Sequence, residues 1–430
     1  MSDGLVLGVD AGGTASRAAL LTLDGTAVGR GRAPGANPVT LGRDAARAHL
    51  AAAVREALGG VSAQVNGVVV GLAGDPGRCR ELAVEVLAAL LPCGPPVRVV
   101  GDVVTAFAAG TPAPSGTVLI SGTGAIAAKI TGHAVAATAD GYGWLLGDEG
   151  SAFWLGRAAA RHTLRALDAR HPAGPLASLV TAHLLSWTGE PDRTAGAGVE
   201  TGAGAGAGAG VRAETGAGVE ARVEAEAGAR VAELAAAVYG RAPLALAELA
   251  PLVSRAAEAG DPAALAIVAE AARRLARTAA EVREPGLPVV LAGGVLTADG
   301  PIRRAVQALL RTPPSDTADH PQRDTDTPVT DRPEVGAGDP AGTGDAVRSG
   351  DATWTRDVVR TRDVARTRDP VVARDVAGTR DVAGTRGVAG TRDVVVAGDA
   401  AGAAAWLAAL PLVGPERAAR THVRFTTPPP

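Results

Sequence analysis

The sequence predicts an α/β protein made of two copies of one strand–turn–strand unit, with low-complexity segments interrupting the second half. Three observations carry that expectation. Short apolar runs alternate with stretches of helical periodicity, the pattern of parallel sheets covered by helices. Two glycine-rich turns, Gly12-Gly13-Thr14 and Gly122-Thr123-Gly124, follow apolar runs at an interval of about 110 residues. Thr194–Gly228 and Thr312–Asp393 are poor in large apolar residues, so they bury too little surface to offset their ordering entropy.

The first unit begins with Leu5–Val9, where Leu5, Leu7 and Val9 alternate with Val6 and Gly8, and Asp10 stands at the exit. After the turn Ala11–Thr14, Arg17–Leu23 returns as a strand, and Asp24-Gly25 is a hairpin signal before a third strand near Ala27–Gly31. Paired glycines let backbone N–H groups approach an anion with no Cβ between, and Thr14 adds a hydroxyl donor. Asp10 is then placed to hold a hydrated Mg²⁺ beside phosphates. An ordinary hairpin with a surface aspartate is the alternative.

Pro34–Pro38 forms a loop whose most useful polar group is Asn37, and a helix with Leu50, Val54 and Leu58 on one face ends at Gly59-Gly60. Val65–Leu72 is a strand, Asp75-Pro76 opens a helix to about Leu91, and Val97–Val100 is a strand ending at Gly101-Asp102. Asp102 either caps a helix over Val103–Ala109 or joins Asp10 in one crevice, since ligands bind outside the carboxyl ends of such strands.

Thr117–Ile120 opens the second unit. Strands over Ala125–Thr131 and Ala134–Ala137 follow its glycine turn, with no crossover helix, which argues against a nicotinamide site. Repetition of the unit implies a duplicated domain closing on one nucleotide. Asp140–Ser151 concentrates glycine, aromatic and carboxylate residues ahead of a helix through Trp154 and Leu164, a composition suited to a sugar. Helices over Val231–Tyr239, Leu246–Ala259 and Pro262–Val282, the last capped by Asp261, precede a strand at Leu287–Leu291. The turn Gly293-Gly294 then suits either a strand–helix corner or close approach to an adenosine, and a helix over Ile302–Leu310 follows. Thr-Arg-Asp recurs near every sixth residue between Thr355 and Thr391, and Val394–Ala397 and Gly402–Leu410 supply a last strand and helix.

The charge balance, 42 basic against 45 acidic residues in a chain of 430, implies no general attraction to nucleic acid. Cys79 and Cys93 fit no metal spacing and no disulfide framework. No apolar run is long enough for a membrane span and no secretory leader pattern is visible, so a cytoplasmic protein is expected.

Together, Val9–Thr14, Leu119–Gly124 and Gly141–Ser151, with Gly-Asp-Glu-Gly-Ser-Ala-Phe-Trp the most specific run, resemble the BadF/BadG/BcrA/BcrD ATPase family and its N-acetylglucosamine kinase branch. The resemblance covers Leu5–Asp192, Val231–Leu310 and Val396–Leu410. It implies duplicated ribonuclease H-like (actin-like ATPase) domains with a nucleotide cleft between them. Residues 1–110 would form the N-terminal lobe. Residues 111–310 would form the C-terminal lobe, interrupted at 194–228; 311–393 would be a second insertion, and 394–415 that lobe's last strand and helix. It further implies ATP and Mg²⁺ as cofactors, a small-molecule sugar as partner, no nucleic-acid or membrane partner, and room for a homodimer. Asp102 matches the catalytic base and Asp10 the metal-side carboxylate. Gly12, Gly13, Thr14, Gly122, Thr123 and Gly124 match the phosphate loops, and Gly293 and Gly294 the adenosine turn. Asn37, Asp102, Thr123, Gly141, Tyr142 and Asp148 match sugar-contact positions. Tyr142 follows Gly141 where the branch often has tryptophan, which leaves N-acetylglucosamine, glucosamine, N-acetylmuramic acid and plain hexoses open. The same family includes activators of reductases and dehydratases that carry an iron–sulfur cluster, but Leu119–Gly124 lacks the cysteine these need. A sugar-binding regulator without catalysis is the third reading, and an intact Asp102 speaks against it.

Overall fold

The computed structural model describes residues 4–61, 64–74, 76–172, 174–186, 216–311 and 394–428. Asp75, the Thr-Arg-Asp repeats and the stretch 187–215 lie outside the described residues. Two five-stranded sheets carry the fold.

The first contains β1 (Leu5–Ala11), β2 (Ala15–Thr22), β3 (Ala27–Pro34), β4 (Val65–Leu72) and β5 (Val97–Gly101) in the order β3-β2-β1-β4-β5. β1, β2 and β3 are antiparallel neighbours, whereas β4 and β5 run parallel to β1. The intervening helices are α1 (Pro38–Leu41), α2 (Arg43–Leu58) and α3 (Pro76–Leu90), and α4 (Asp102–Ala108) follows β5.

The second sheet repeats this plan with β6 (Gly116–Ser121), β7 (Ala125–Thr131), β8 (Ala134–Asp140), β9 (Val289–Ala292) and β10 (Val394–Val396), ordered β10-β9-β6-β7-β8. Read from β8, it is the same arrangement of three antiparallel and two parallel strands. The domains are therefore duplicated and ribonuclease H-like. Between β8 and β9 lie α5 (Ala152–Asp168), α6 (Pro175–Leu185), α7 (Gly216–Tyr239), a 3-10 helix (Pro243–Leu249), α8 (Ala250–Glu258) and α9 (Pro262–Val282). Asp261 caps α9, its Oδ1 accepting from the Ala264 N–H at 2.9 Å. α10 (Gly294–Thr297) and α11 (Pro301–Arg311) separate β9 from β10, and α12 (Ala400–Val413) and α13 (Pro415–Thr426) end the described chain.

Strand alternation decides which residues face what. Leu5, Leu7 and Val9 pack outward under Leu50, Val54 and Leu82, while Val6 faces a central layer with Phe107 and Trp406. Asp10 falls two residues after Gly8, on the central side of the sheet. A third cluster, of Leu119, Leu155, Val253 and Leu275 among others, covers the outer side of the second sheet.

Two features add to the expected organisation. The expected low-complexity segment 194–228 overlaps α7, which is helical from Gly216. Alanine is the best helix former, so a run poor in apolar bulk still propagates as helix. Second, α12 packs in the central layer shared with Val118, Ile130 and Val290 of the second sheet. β10 completes the second sheet, and α12 also lies close on the first: a Cβ at Gly8 would stand 2.1 Å from the Ala405 nitrogen, and one at Gly67 would be 2.8 Å from the Ala408 oxygen. Small residues on both partners let helix and sheet backbones approach this closely. α13, which runs to Thr426, covers α12, with Phe425 fully buried.

Candidate active site

The glycine turns of the two sheets meet. The Gly12 N–H donates to the Ala15 oxygen at 3.0 Å, and the Gly122 N–H to the Gly124 oxygen at 2.9 Å. The hydroxyl oxygens of Thr14 and Thr123 approach to 3.5 Å across the cleft. A Cβ at Gly13 would meet nothing within 4 Å, and one at Gly12 only the Ala15 oxygen at 3.5 Å. These glycines therefore keep open a space that protein does not fill, beside backbone that an anion can approach with no Cβ between. Gly293 forms the third wall. It has φ +82°, and a Cβ there would lie 2.4 Å from the Ser121 oxygen, so only glycine permits this contact between turns.

Below the turns, α4 carries two polar groups to Asp10. The Thr105 hydroxyl lies 3.0 Å from Asp10 Oδ1 and 2.9 Å from the Asp102 carbonyl oxygen. Gly71 makes room for it, since a Cβ there would be 2.6 Å from the Thr105 side chain. Burial, and then the neighbouring Asp102 charge, push the Asp10 carboxyl up to about 7. Burial also raises Asp102, partly offset by its backbone N–H contacts. A pair of desolvated carboxylates beside an anion cradle is a donor set suited to a hard divalent cation, which would relieve their mutual repulsion.

Two cavities flank the turns. One of about 620 Å³ is lined by Asp10, Gly12, Asp102, Gly293, Gly294 and Asp399, with Arg17 and Arg30 at its side. The other, about 710 Å³, runs from Thr14, Gly122 and Thr123 to Gly294, Val295 and Ile302 against the α8 face of Pro251, Ser254 and Arg255.

The profile of the BadF/BadG/BcrA/BcrD ATPase family matches residues 7–315. The chain belongs to that family. Among individual relatives, N-acetyl-D-glucosamine kinase of Dictyostelium discoideum is 26% identical over 211 residues, which are 44% of this chain and 66% of the relative. A solved structure of a candidate N-acetylglucosamine kinase from Porphyromonas gingivalis superposes with TM-score 0.50 at 22% identity, covering 71% of this chain and 90% of that one. Another from Chromobacterium violaceum gives TM-score 0.47 at 25% identity, with the same coverage.

In this family member, the second glycine turn is tied to the loop 141–151. Asp148, at φ +56°, is almost fully buried. Its Oδ1 accepts from the Ala125 N–H at 3.2 Å, and a Cβ at Gly124 would be 2.8 Å from its Oδ2. Burial raises the Asp148 carboxyl, the Ala125 N–H opposes this, and Asp140 adds to the rise. The helix α5 then starts with Ser151 as cap, accepting from the Trp154 N–H at 3.1 Å. Tyr142 is largely exposed, and Asn37, Gly141, Tyr142 and Asp148 line neither cavity.

Sequence reasoning missed three contributors. Asp140 is the staple of the loop, its carboxylate accepting from the N–H groups of Gly141, Asp148 and Glu149 at 2.7–2.8 Å. The sequence placed it in the cluster Asp140–Ser151 but gave it no role of its own. Thr105 was concealed in a short helix. The α8 residues that wall the larger cavity belong to an amphipathic helix whose exposed side carries no mark of its own. Among the described residues, no helix is long and apolar enough to cross a membrane.

Proposed function

We propose that the chain is an ATP- and Mg²⁺-dependent kinase that transfers the γ-phosphoryl group to a hydroxyl of an amino sugar, N-acetylglucosamine before the others. The observation that carries this reading is the convergence of Asp10 and Asp102, bridged by Thr105, beneath two facing glycine turns. The named kinase relative supports the choice of acceptor.

In this reading the glycine turns Gly12–Thr14 and Gly122–Gly124, with the Thr14 and Thr123 hydroxyls, hold the phosphates. The cavity beside Gly294 and α8 receives the adenosine. Asp10 stands on the metal side; the cation, when bound, neutralises charge on the phosphates. The sugar oxygen attacks the γ-phosphorus, the bond to the ADP oxygen breaks, and the hydroxyl proton passes to Asp102. A carboxylate raised by burial is a better base than a free one, provided it is ionised at the working pH. Asp148, whose backbone is held by Asp140, accepts from sugar hydroxyls, and Asn37, Gly141 and Tyr142 are the further sugar contacts of this reading. Positioning and charge neutralisation do most of the work in such transfers.

The test is ADP release coupled to a panel of amino sugars and hexoses. Sugar should stimulate release well above the basal rate, and Asp102→Asn should lower turnover by roughly 10²–10⁴-fold with sugar binding retained. ADP release indifferent to every sugar would instead favour the activator class of the family. Near-parental turnover in Asp102→Asn would remove it as the base.

A further inference from the structure

Outside the cleft, α5 presents a row of arginines to a groove of about 400 Å³ that it forms with α9. Arg157, Arg161 and Arg165 are spaced by four residues, so their Cα atoms rise by about 6 Å each along one face. All three are exposed, and among the described residues none pairs with a carboxylate. Arg274 enters from α9, its guanidinium 5.1 Å from the centre of the Trp154 ring. It is already paired with Glu149 and with Glu270. The acidic groups at this groove are thus engaged by Arg274, and among the described residues the row on α5 has no ion-pair partner.

Like charges four residues apart destabilise a helix by a few tenths of a kcal/mol per pair. The chain as a whole has more acidic than basic residues, so acids were available to separate them. Guanidinium forks match phosphate oxygens two at a time, which an ammonium does not. Beside the row, the floor of the groove is apolar, with Trp154, Ala158 and Ile267. That floor suits the neutral body of a ligand and gives nothing to a bare ion.

We propose that this groove is a second ligand site, which takes a phosphate monoester of a small molecule. Arg157, Arg161 and Arg165 hold the phosphoryl oxygens, and the body of the ester lies over Trp154 and Ile267. The groove shares no residue with either cavity of the cleft, so the proposal stands independently of the kinase assignment.

The experiment is calorimetric titration of the full chain, held in excess AMPPNP and Mg²⁺, with a hexose 6-phosphate and, separately, with inorganic phosphate. The ester should bind saturably and about tenfold or more tighter than inorganic phosphate, a gap of about 1.4 kcal/mol. Arg161→Glu should weaken the ester by at least that factor, and Arg157→Gln combined with Arg165→Gln should do the same should Arg161→Glu fail to fold. Arg424→Glu, exposed on α13, should leave it unchanged. Asp148→Asn separates the two locations, since it would weaken an ester lodged in the cleft and spare one in the groove. No saturable binding, equal affinity for the two probes (an adventitious ion only), or indifference to the arginine variants would overturn the proposal.

Discussion

Asp10 sits at the centre of the site at a cost to the fold, and Asp10→Asn measures that cost. The carboxyl is raised from 3.8 to about 7, chiefly by burial and then by the Asp102 charge. A folded-state value above the unfolded one means that Asp10 is best tolerated when protonated. Its contribution is fully present below the unfolded value and is lost as pH rises through the folded one. At 1.36 kcal/mol per unit, the rise corresponds to about 4 kcal/mol above neutrality. Asp10 borders an open cavity, and water and relaxation reduce this, so about 1–2 kcal/mol is the expected net effect. Asparagine keeps the shape and can still accept from Thr105 Oγ1. Without nucleotide, Asp10→Asn should therefore be more stable than the parent by that amount at about pH 8, and the difference should shrink toward pH 5. Urea unfolding followed by far-ultraviolet circular dichroism at the two pH values gives the comparison. A variant no more stable than the parent at pH 8, or a gain equal at both values, would refute the reasoning. Response to Mg²⁺–ATP should fall in the same variant, the stability–function opposition expected of a buried active-site charge.

Three further outcomes follow from the geometry. Asp140→Ala leaves three backbone N–H groups of the loop 141–149 without their acceptor, which at about 1–3 kcal/mol for a charged acceptor should raise the sugar KM far more than the ATP KM in initial-rate assays. Gly293→Ala places a Cβ 2.4 Å from the Ser121 oxygen at φ +82°, so thermal melting should show a loss above about 1 kcal/mol, and nucleotide binding should weaken. Replacing residues 314–390, which are poor in large apolar residues, with a short Gly/Ser linker should leave the melting temperature near the parent's, because loop closure changes by only about 0.6 kcal/mol per doubling of length.

Much of this protein is written locally. The period-two run Leu5–Val9, the turn at Asp24-Gly25, the caps Ser151 and Asp261, and both glycine turns act over a few residues. Their backbone and capping physics needs no distant partner, so the strands, the duplicated plan and the two phosphate turns were legible. Asp10 and Asp102 were also legible, since strand direction places both at the same sheet edge. What remained hidden depends on residues far apart in sequence. The pairing of Thr105 with Asp10 spans 95 positions, and nothing in Val103–Ala109 distinguishes that hydroxyl from a core threonine. The docking of α12 on the first sheet requires Gly8 and Gly67 to face Ala405 and Ala408, and an alanine-rich helix has no polar face to say where it goes. The wall that α8 adds to the larger cavity exists only once the second sheet has brought β9 beside β6. Local sequence determined the turns and the carboxylates; only tertiary packing decided how α4 and α12 cross between the sheets and bring the site together, because close approach of backbones depends on both partners being small at the same point.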